Sequence, residues 1–247
     1  MLRELKNLLA FLTILPFRMD DKCLIDSARF MFLFPLVGAL IGFLAGVFGW
    51  SISYVLPGLL VGVLVFGFLL LLTGLHHTDG LLDFGDGVMA QGTAERKIEI
   101  MHDRLTGAGG LSLGIMTFLI TALAMSELSA GTFVQSIVVA ELSAKLSMVV
   151  GSWAGKSVHA GMNSSFLEAM RGRKGTARLL VSLAIAFGVA IPLLWVSGAI
   201  AVSAAILTSL VMVLISHRHF KGVTGDVLGA THELARMVVV VVLVAMV

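Results

Sequence analysis

The chain is poor in charge and almost free of cysteine. Of its 247 residues only 13% are Asp, Glu, Lys or Arg, against roughly 25% in a soluble domain. The single cysteine, Cys23, excludes an intrachain disulfide and a cysteine-built zinc site. The opening Met1-Leu2-Arg3-Glu4-Leu5-Lys6 leads to no small-residue cleavage site, so it reads as mature sequence and not as a signal peptide. No linker, low-complexity tract or clear internal repeat is visible, and residues 1–247 are expected to form one domain. The net charge of +2 excludes little, because in a membrane protein the placement of charge matters more than its sum.

What the chain has in excess is apolar surface. Hydrophobic residues make up 58% of it, more than the core of an ordinary soluble domain absorbs. The composition implies an all-α, polytopic transmembrane helix bundle. A spanning helix needs about 20 mostly apolar residues. Segments 31–50, 55–73, 111–128, 132–153, 179–195, 199–216 and 234–247 meet or approach that length, giving about seven spans. Residues 5–17 form a weaker apolar run ending near Pro16, read as an amphipathic or re-entrant helix.

The charges test this layout. Five Lys and Arg lie before Met31, three in 74–110, five in 154–178 and three in 217–236, while Lys145 falls inside a proposed span. The alternate connections, 51–54, 129–131 and 197–198, carry no charge. The positive-inside rule therefore puts the N-terminus and every charged loop in the cytoplasm, in a multi-pass protein of the cytoplasmic membrane.

Chemistry concentrates in the loop 74–110. Asp79, Asp83 and Asp86 are spaced by four and three residues, which places all three on one helical face. Clustered carboxylates repel one another unless a cation joins them. All-oxygen ligands suit a hard cation such as Mg²⁺, typically held by one or two carboxylates plus substrate phosphates. Gly80, Gly85 and Gly87 weaken a purely structural helix, which argues against a merely solvated acidic face. Glu99 and Asp103 make a second i,i+4 pair. His76 and His77 precede the cluster; His76 suits acid–base work or substrate contact better than zinc ligation, which usually wants three protein ligands. A second motif, Thr224-Gly225-Asp226, sits in a glycine-bearing turn with backbone N–H groups suited to a phosphate. Glu141 and Lys145 lie one helical turn apart within a span, either a self-neutralising pair or a contact for an anionic substrate. The cluster Arg171, Arg173, Lys174 and Arg178 reads first as positive-inside anchoring.

Over nearly its whole length the chain resembles the cobalamin synthases (adenosylcobinamide-GDP ribazoletransferases). The resemblance is carried by Thr13-Ile14-Leu15-Pro16, by Phe34-Pro35-Leu36-Val37-Gly38 and by the His-x-x-Asp-Gly-x-x-Asp-x-x-Asp-Gly run from His76 to Gly87. Glu99-Ile100-Met101-His102-Asp103 with Gly107 and Gly110 follows, and then Thr224-Gly225-Asp226 with Gly229-Ala230. Where family members often carry Arg two residues beyond the Asp103 position, this chain has Leu105 with Arg104 beside it, and Lys145 stands in for a more usual Arg. The resemblance implies a Mg²⁺-dependent transferase that joins adenosylcobinamide-GDP to α-ribazole, or its 5′-phosphate, and releases GMP. In that scheme Asp79, Asp83 and Asp86 hold the metal. Asp103 completes the metal site or acts as base, and His76 assists proton transfer or orientation. Arg104, Lys145, Thr224, Gly225 and Asp226 contact substrate. The bilayer is the environment, no nucleic acid is a partner, and a homo-oligomer is left open.

Two rivals fit less well. A CDP-alcohol phosphotransferase wants Asp-x-x-Asp-Gly-x-x-Ala-Arg, but Gln91 stands where the Arg belongs and the downstream Gly-x-x-x-Asp-x-x-x-Asp is missing. A cation-coupled transporter would place its carboxylates near the bilayer midplane, whereas here Glu141 is the main acid within a span.

Overall fold

The computed structural model describes residues 2–17, 23–158 and 162–246. Arg18 and Lys22, counted above among the charges before Met31, and Val247 of the last expected span lie outside the described residues. The fold is all-α, as the composition requires. Its helices are α1 (Leu2–Leu12), α2 (Cys23–Arg29), α3 (Phe34–Ile52), α4 (Gly58–Leu72), α5 (His76–Met89) and α6 (Ala94–Met101). They continue as α7 (Ala108–Ser126), α8 (Phe133–Ala154), α9 (Met162–Ala169), α10 (Gly172–Phe220) and α11 (Gly225–Met246).

The bundle is built around α8, whose residues are buried without interruption from Ser136 to Ser152. A helix buried on all sides is enclosed by protein. Helix α3 runs antiparallel to it and comes very close because its glycines face the α8 backbone. A Cβ at Gly38 would stand 2.5 Å from the Glu141 carbonyl oxygen, and one at Gly42 2.6 Å from that of Ile137. These are the small-residue contacts expected of helices in lipid. Helix α11 covers a second side of α8, also antiparallel, with Lys145 opposite His232 and Glu141 opposite Arg236.

Helix α10 has 49 residues and as a rod would be about 73 Å long. It is not a rod. Trp195 adopts φ 53°, ψ −129°, just beyond Pro192, and the chain folds back so tightly that Gly198 has no room for a Cβ against the Ala190 carbonyl. Both arms return to α8. The Trp153 indole N–H donates to the Thr176 hydroxyl at 3.3 Å, and the Ser209 hydroxyl donates to the Ser147 carbonyl at 2.6 Å.

Among the described residues, five helices are long and apolar enough to cross a membrane, or six if α4 and α5 form one bent span. The expected seven counted the two arms of α10 separately, in keeping with the fold-back at Trp195, and took 55–73 as a full span. Helix α4 has only 15 residues, about 22 Å, short of the roughly 30 Å hydrocarbon core. The segment 5–17 forms the amphipathic helix α1, which ends at Leu12 with Leu8 and Leu12 buried and Lys6 exposed.

Between α4 and α5 the chain turns by 96°. The turn has a sequence cause. Gly74 at φ +66° closes α4: the Leu75 N–H donates to the Leu70 carbonyl at 3.1 Å, and the Gly74 N–H to that of Leu71 at 3.0 Å. This six-to-one and five-to-two pair ends a helix through a left-handed residue, usually glycine. The Ile14 N–H, from the Thr13–Pro16 motif, donates to the Leu72 carbonyl at 2.9 Å and ties the N-terminal segment to the same turn.

Candidate active site

Helix α5 turns away from α4, carries three carboxylates and two histidines, and by itself is not among the helices long and apolar enough to span. Its glycines explain how it sits. A Cβ at Gly80 would lie 2.9 Å from the Asp226 α-carbon, and one at Gly85 2.8 Å from the Gly110 α-carbon. The first turns of α11 and α7 therefore both abut α5. Glycine inside a helix costs about 1 kcal/mol relative to alanine; here it is what allows three backbones to meet.

Two helix N-termini thus point at an acidic helix, and N-termini favour negative charge. The Asp86 carboxylate accepts the Gly107 N–H at 2.7 Å and the Gly110 N–H at 2.8 Å, capping α7. At α11 the Thr224 hydroxyl accepts the Val227 N–H at 3.3 Å and donates to Asp226 Oδ2 at 3.3 Å. Thr224 is therefore the cap of α11, while Gly225 is exposed with nothing near it.

Asp83 lies at the centre. Partial burial, followed by the nearby charges of Asp79, Asp226 and Asp86, pushes its carboxyl up to about 7. Four carboxylates are thus gathered: the three expected metal ligands and Asp226, expected to contact substrate. Asp103 is not among the charges crowding Asp83. It is exposed in the loop between α6 and α7, where its Oδ1 accepts the Leu105 N–H at 3.2 Å; Arg104 beside it is exposed too. The loop residue that reaches the cluster is His102, with Nε2 3.7 Å from Asp226 Oδ2. His76 is exposed on the first turn of α5.

Lys145 is wholly buried, with its ammonium 3.3 Å from Nε2 of both His77 and His232. As placed, it faces two imidazoles and no open surface. Arg236 was counted above with the charges of a loop. It is instead a fully buried member of α11, bound to Glu141 through Nε and to Glu233 through Nη1.

Among the described residues two sets of potential ligands stand out, and only His77, His232 and Glu233 have three ligand atoms within 4.8 Å of one another. The aspartate cluster presents only oxygen, and its mutual repulsion is what a hard divalent cation relieves, so the donor set fits. His77, His232 and Glu233 fit poorly despite their spacing. Lys145 and Arg236 already stand against them and balance Glu233 and Glu141, so a dication would add unpaired charge in a buried site.

Comparison with known proteins decides the family. The model of the cobalamin-5-phosphate synthase family matches residues 4–244. The chain belongs to that family. A relative from Methanocella arvoryzae, named adenosylcobinamide-GDP ribazoletransferase, is 36% identical, covering 96% of this chain and 93% of the relative. Relatives of the same name from Methanococcoides burtonii and Thermococcus kodakarensis are each 31% identical, covering 98% and 97% of this chain and 92% and 97% of theirs. No solved structure matches.

Within this chain of the cobalamin-5-phosphate synthase family, sequence reasoning left His77 without a definite role and passed over His102 and the buried His232, Glu233 and Arg236 as site components. A signal was present for the last three: they stand at i, i+1 and i+4 at the entrance to an apolar segment, a spacing that shares one helical side. Nothing in the sequence distinguished His102 from its neighbour Asp103.

Proposed function

We propose that this chain is an adenosylcobinamide-GDP ribazoletransferase of the cytoplasmic membrane, with its site facing the cytoplasm. It joins adenosylcobinamide-GDP to α-ribazole, or α-ribazole 5′-phosphate, and releases GMP. The observation that carries this reading is the gathering of Asp79, Asp83, Asp86 and Asp226 where the N-termini of α7 and α11 converge. The printed names of the relatives support it, and the bias of Lys and Arg toward alternate loops supports the orientation.

Asp79, Asp83 and Asp86, with Asp226 beside them, would hold Mg²⁺. When bound, it supplies charge neutralisation for the diphosphate of the activated substrate. The protein's residues do the rest. Convergent helix N-termini favour the anionic group being transferred. The exposed Gly225 lets a substrate approach the start of α11 without a side chain in the way. Exposed Arg104 meets the nucleotide's negative charge.

The ribazole hydroxyl oxygen forms a bond to the phosphorus attached to cobinamide. The bond from that phosphorus to the bridging oxygen breaks, and GMP leaves with that oxygen. The hydroxyl proton passes to Asp103 or His76, both exposed at the rim. His102, held near Asp226, orients that carboxylate.

The test is direct. Purified protein in lipid nanodiscs, given adenosylcobinamide-GDP and α-ribazole, is expected to release GMP with Mg²⁺ and not with EDTA. Absence of GMP release from folded protein under both conditions overturns the assignment.

A further inference from the structure

Outside the acidic cluster, the most unusual feature is a chain of ionisable side chains through the centre of the bundle. It begins at Glu141 on α8, which receives Arg236 of α11. Arg236 also reaches Glu233 Oε2 at 2.5 Å and His232 Nε2 at 2.8 Å. Lys145 on α8 then links His232 to His77, the second residue of α5, at 3.3 Å each. Every member is 6% exposed or less. Two carboxylates and two cations bring its formal charge to zero. Ionisable groups at membrane depth are expensive and usually mark a function.

We propose that Lys145 and His77 are positioning residues, which fix the first turn of α5 and so set the rotation and register of the aspartates. This rests on the reading of those aspartates as the metal site. The reason lies in how α5 is otherwise held. Where it crosses α11, the closest approaches are of backbones, Gly80 to Asp226 and Gly229 to His77, whose α-carbon lies 3.3 Å from a Cβ built at 229, beside the His77 and His232 rings with centroids 4.2 Å apart. The glycine contacts fix how closely two helices approach. They resist sliding and rotation weakly, because a glycine surface offers no ridge. The 96° turn before α5, with left-handed Gly74 and Leu75, sets the chain's path into its first turn.

The far end of α5 is tied to α7 by the two N–H bonds to Asp86, and a directional polar tie is needed at its first turn as well. Among the described residues, the tie from α5 to the buried helix α8 is the hydrogen bond between Lys145 and His77. Asp79 follows His77 by two residues and Asp83 by six, so a rotation at His77 is transmitted rigidly to both. Gly38 of α3 closes the other side, since a Cβ there would strike the Lys145 side chain at 2.8 Å. The ammonium is thus held by packing and by two imidazoles, as a support for precise ligands must be.

The experiment compares wild type, His77→Leu, His77→Gln and Lys145→Met as full chains in nanodiscs. Hydrogen–deuterium exchange of the 78–86 amides is read without metal or substrate, Mn²⁺ binding by EPR, and kcat and KM by GMP release. For His77→Leu, exchange in 78–86 is expected to rise about tenfold while that of α3 and α8 stays unchanged. Mn²⁺ binding is expected to weaken by about tenfold, as for loss of a group that orients ligands. The value of kcat falls with KM within about twofold, the signature of lost transition-state positioning. His77→Gln, which keeps a polar group toward Lys145, recovers part of each.

Wild-type exchange and Mn²⁺ binding in His77→Leu overturn the proposal. So does Lys145→Met raising KM alone, which would make Lys145 a substrate contact. If Lys145→Met does not fold, His77→Leu decides, because it removes no charge from the chain. If wild type releases no GMP but exchange and Mn²⁺ binding respond as expected, the positioning role stands and the assigned reaction fails.

Discussion

Gly80 and Asp226 meet backbone to backbone: a Cβ at residue 80 would stand 2.9 Å from both the α-carbon and the carbonyl oxygen of Asp226. This contact brings the fourth carboxylate to the other three. It also leads to a prediction opposite to that of helix propensity. Gly80→Ala improves an isolated helix by about 1 kcal/mol, yet here it must push α5 from α11. Turnover is expected to fall at least about tenfold with membrane yield unchanged. Wild-type turnover in Gly80→Ala would show that the close approach is dispensable.

Asp83 is strained in the metal-free protein. Its folded pKa of about 7 lies above the ordinary value of 3.8. A raised folded pKa contributes stability below the unfolded value, and that contribution is lost as pH rises through about 7. Asp83→Asn removes the loss. In EDTA at pH 8 the variant is expected to melt above wild type, with the difference shrinking toward pH 5. Its GMP release should nevertheless fall at least about a hundredfold, as for loss of a metal ligand. A variant melting below wild type at pH 8 would contradict the crowding of carboxylates described here.

The same proton competes with metal. Below pH about 7 a cation must displace it from Asp83, so affinity drops up to tenfold per pH unit. Titrating Mn²⁺ by EPR at pH 8 and pH 6 is expected to show binding about tenfold weaker at pH 6. In Asp83→Asn the residual binding should depend much less on pH.

Arg236 has the opposite character, a buried cation with two buried carboxylates on it. Arg236→Met leaves Glu141 and Glu233 without it in a dry interior. Breaking a buried pair by removing one partner costs about 3–5 kcal/mol. The variant is expected to accumulate poorly and to lose monodispersity in detergent. Adding Glu141→Gln to it should recover part of the folded yield, because one of the stranded charges is gone. Unchanged yield in the single variant would mean that the ion pairs carry no weight in folding.

Much of the architecture was legible because membrane embedding imposes a coarse rule on sequence. Long apolar runs had to be helices, and charges deep within one, such as Glu141 and Lys145, had to face the protein interior. The fold-back in the apolar run of α10 was legible as well: the expected spans 179–195 and 199–216 divide at the place where Trp195 breaks the helix and Gly198 packs on Ala190. Helix α4 ends where expected, closed by Gly74, but is shorter than expected because it begins only after its N-cap Pro57, at Gly58 and not at residue 55. Arg236 was assigned to a loop because its partner Glu141 is 95 residues away in sequence.

The sequence by itself determined that Asp79, Asp83 and Asp86 share a helical side, since spacing and the 3.6-residue period are local properties. It also determined the family, through motifs spread along the chain. Only the tertiary structure decided what those carboxylates meet. It brought Asp226 and His102 to the cluster, gave Asp86 to the N-terminus of α7, left Asp103 at the rim, and buried Lys145 beneath His77. The physical reason is that charge interactions depend on distance and burial, and both are set by which helices glycines allow to touch.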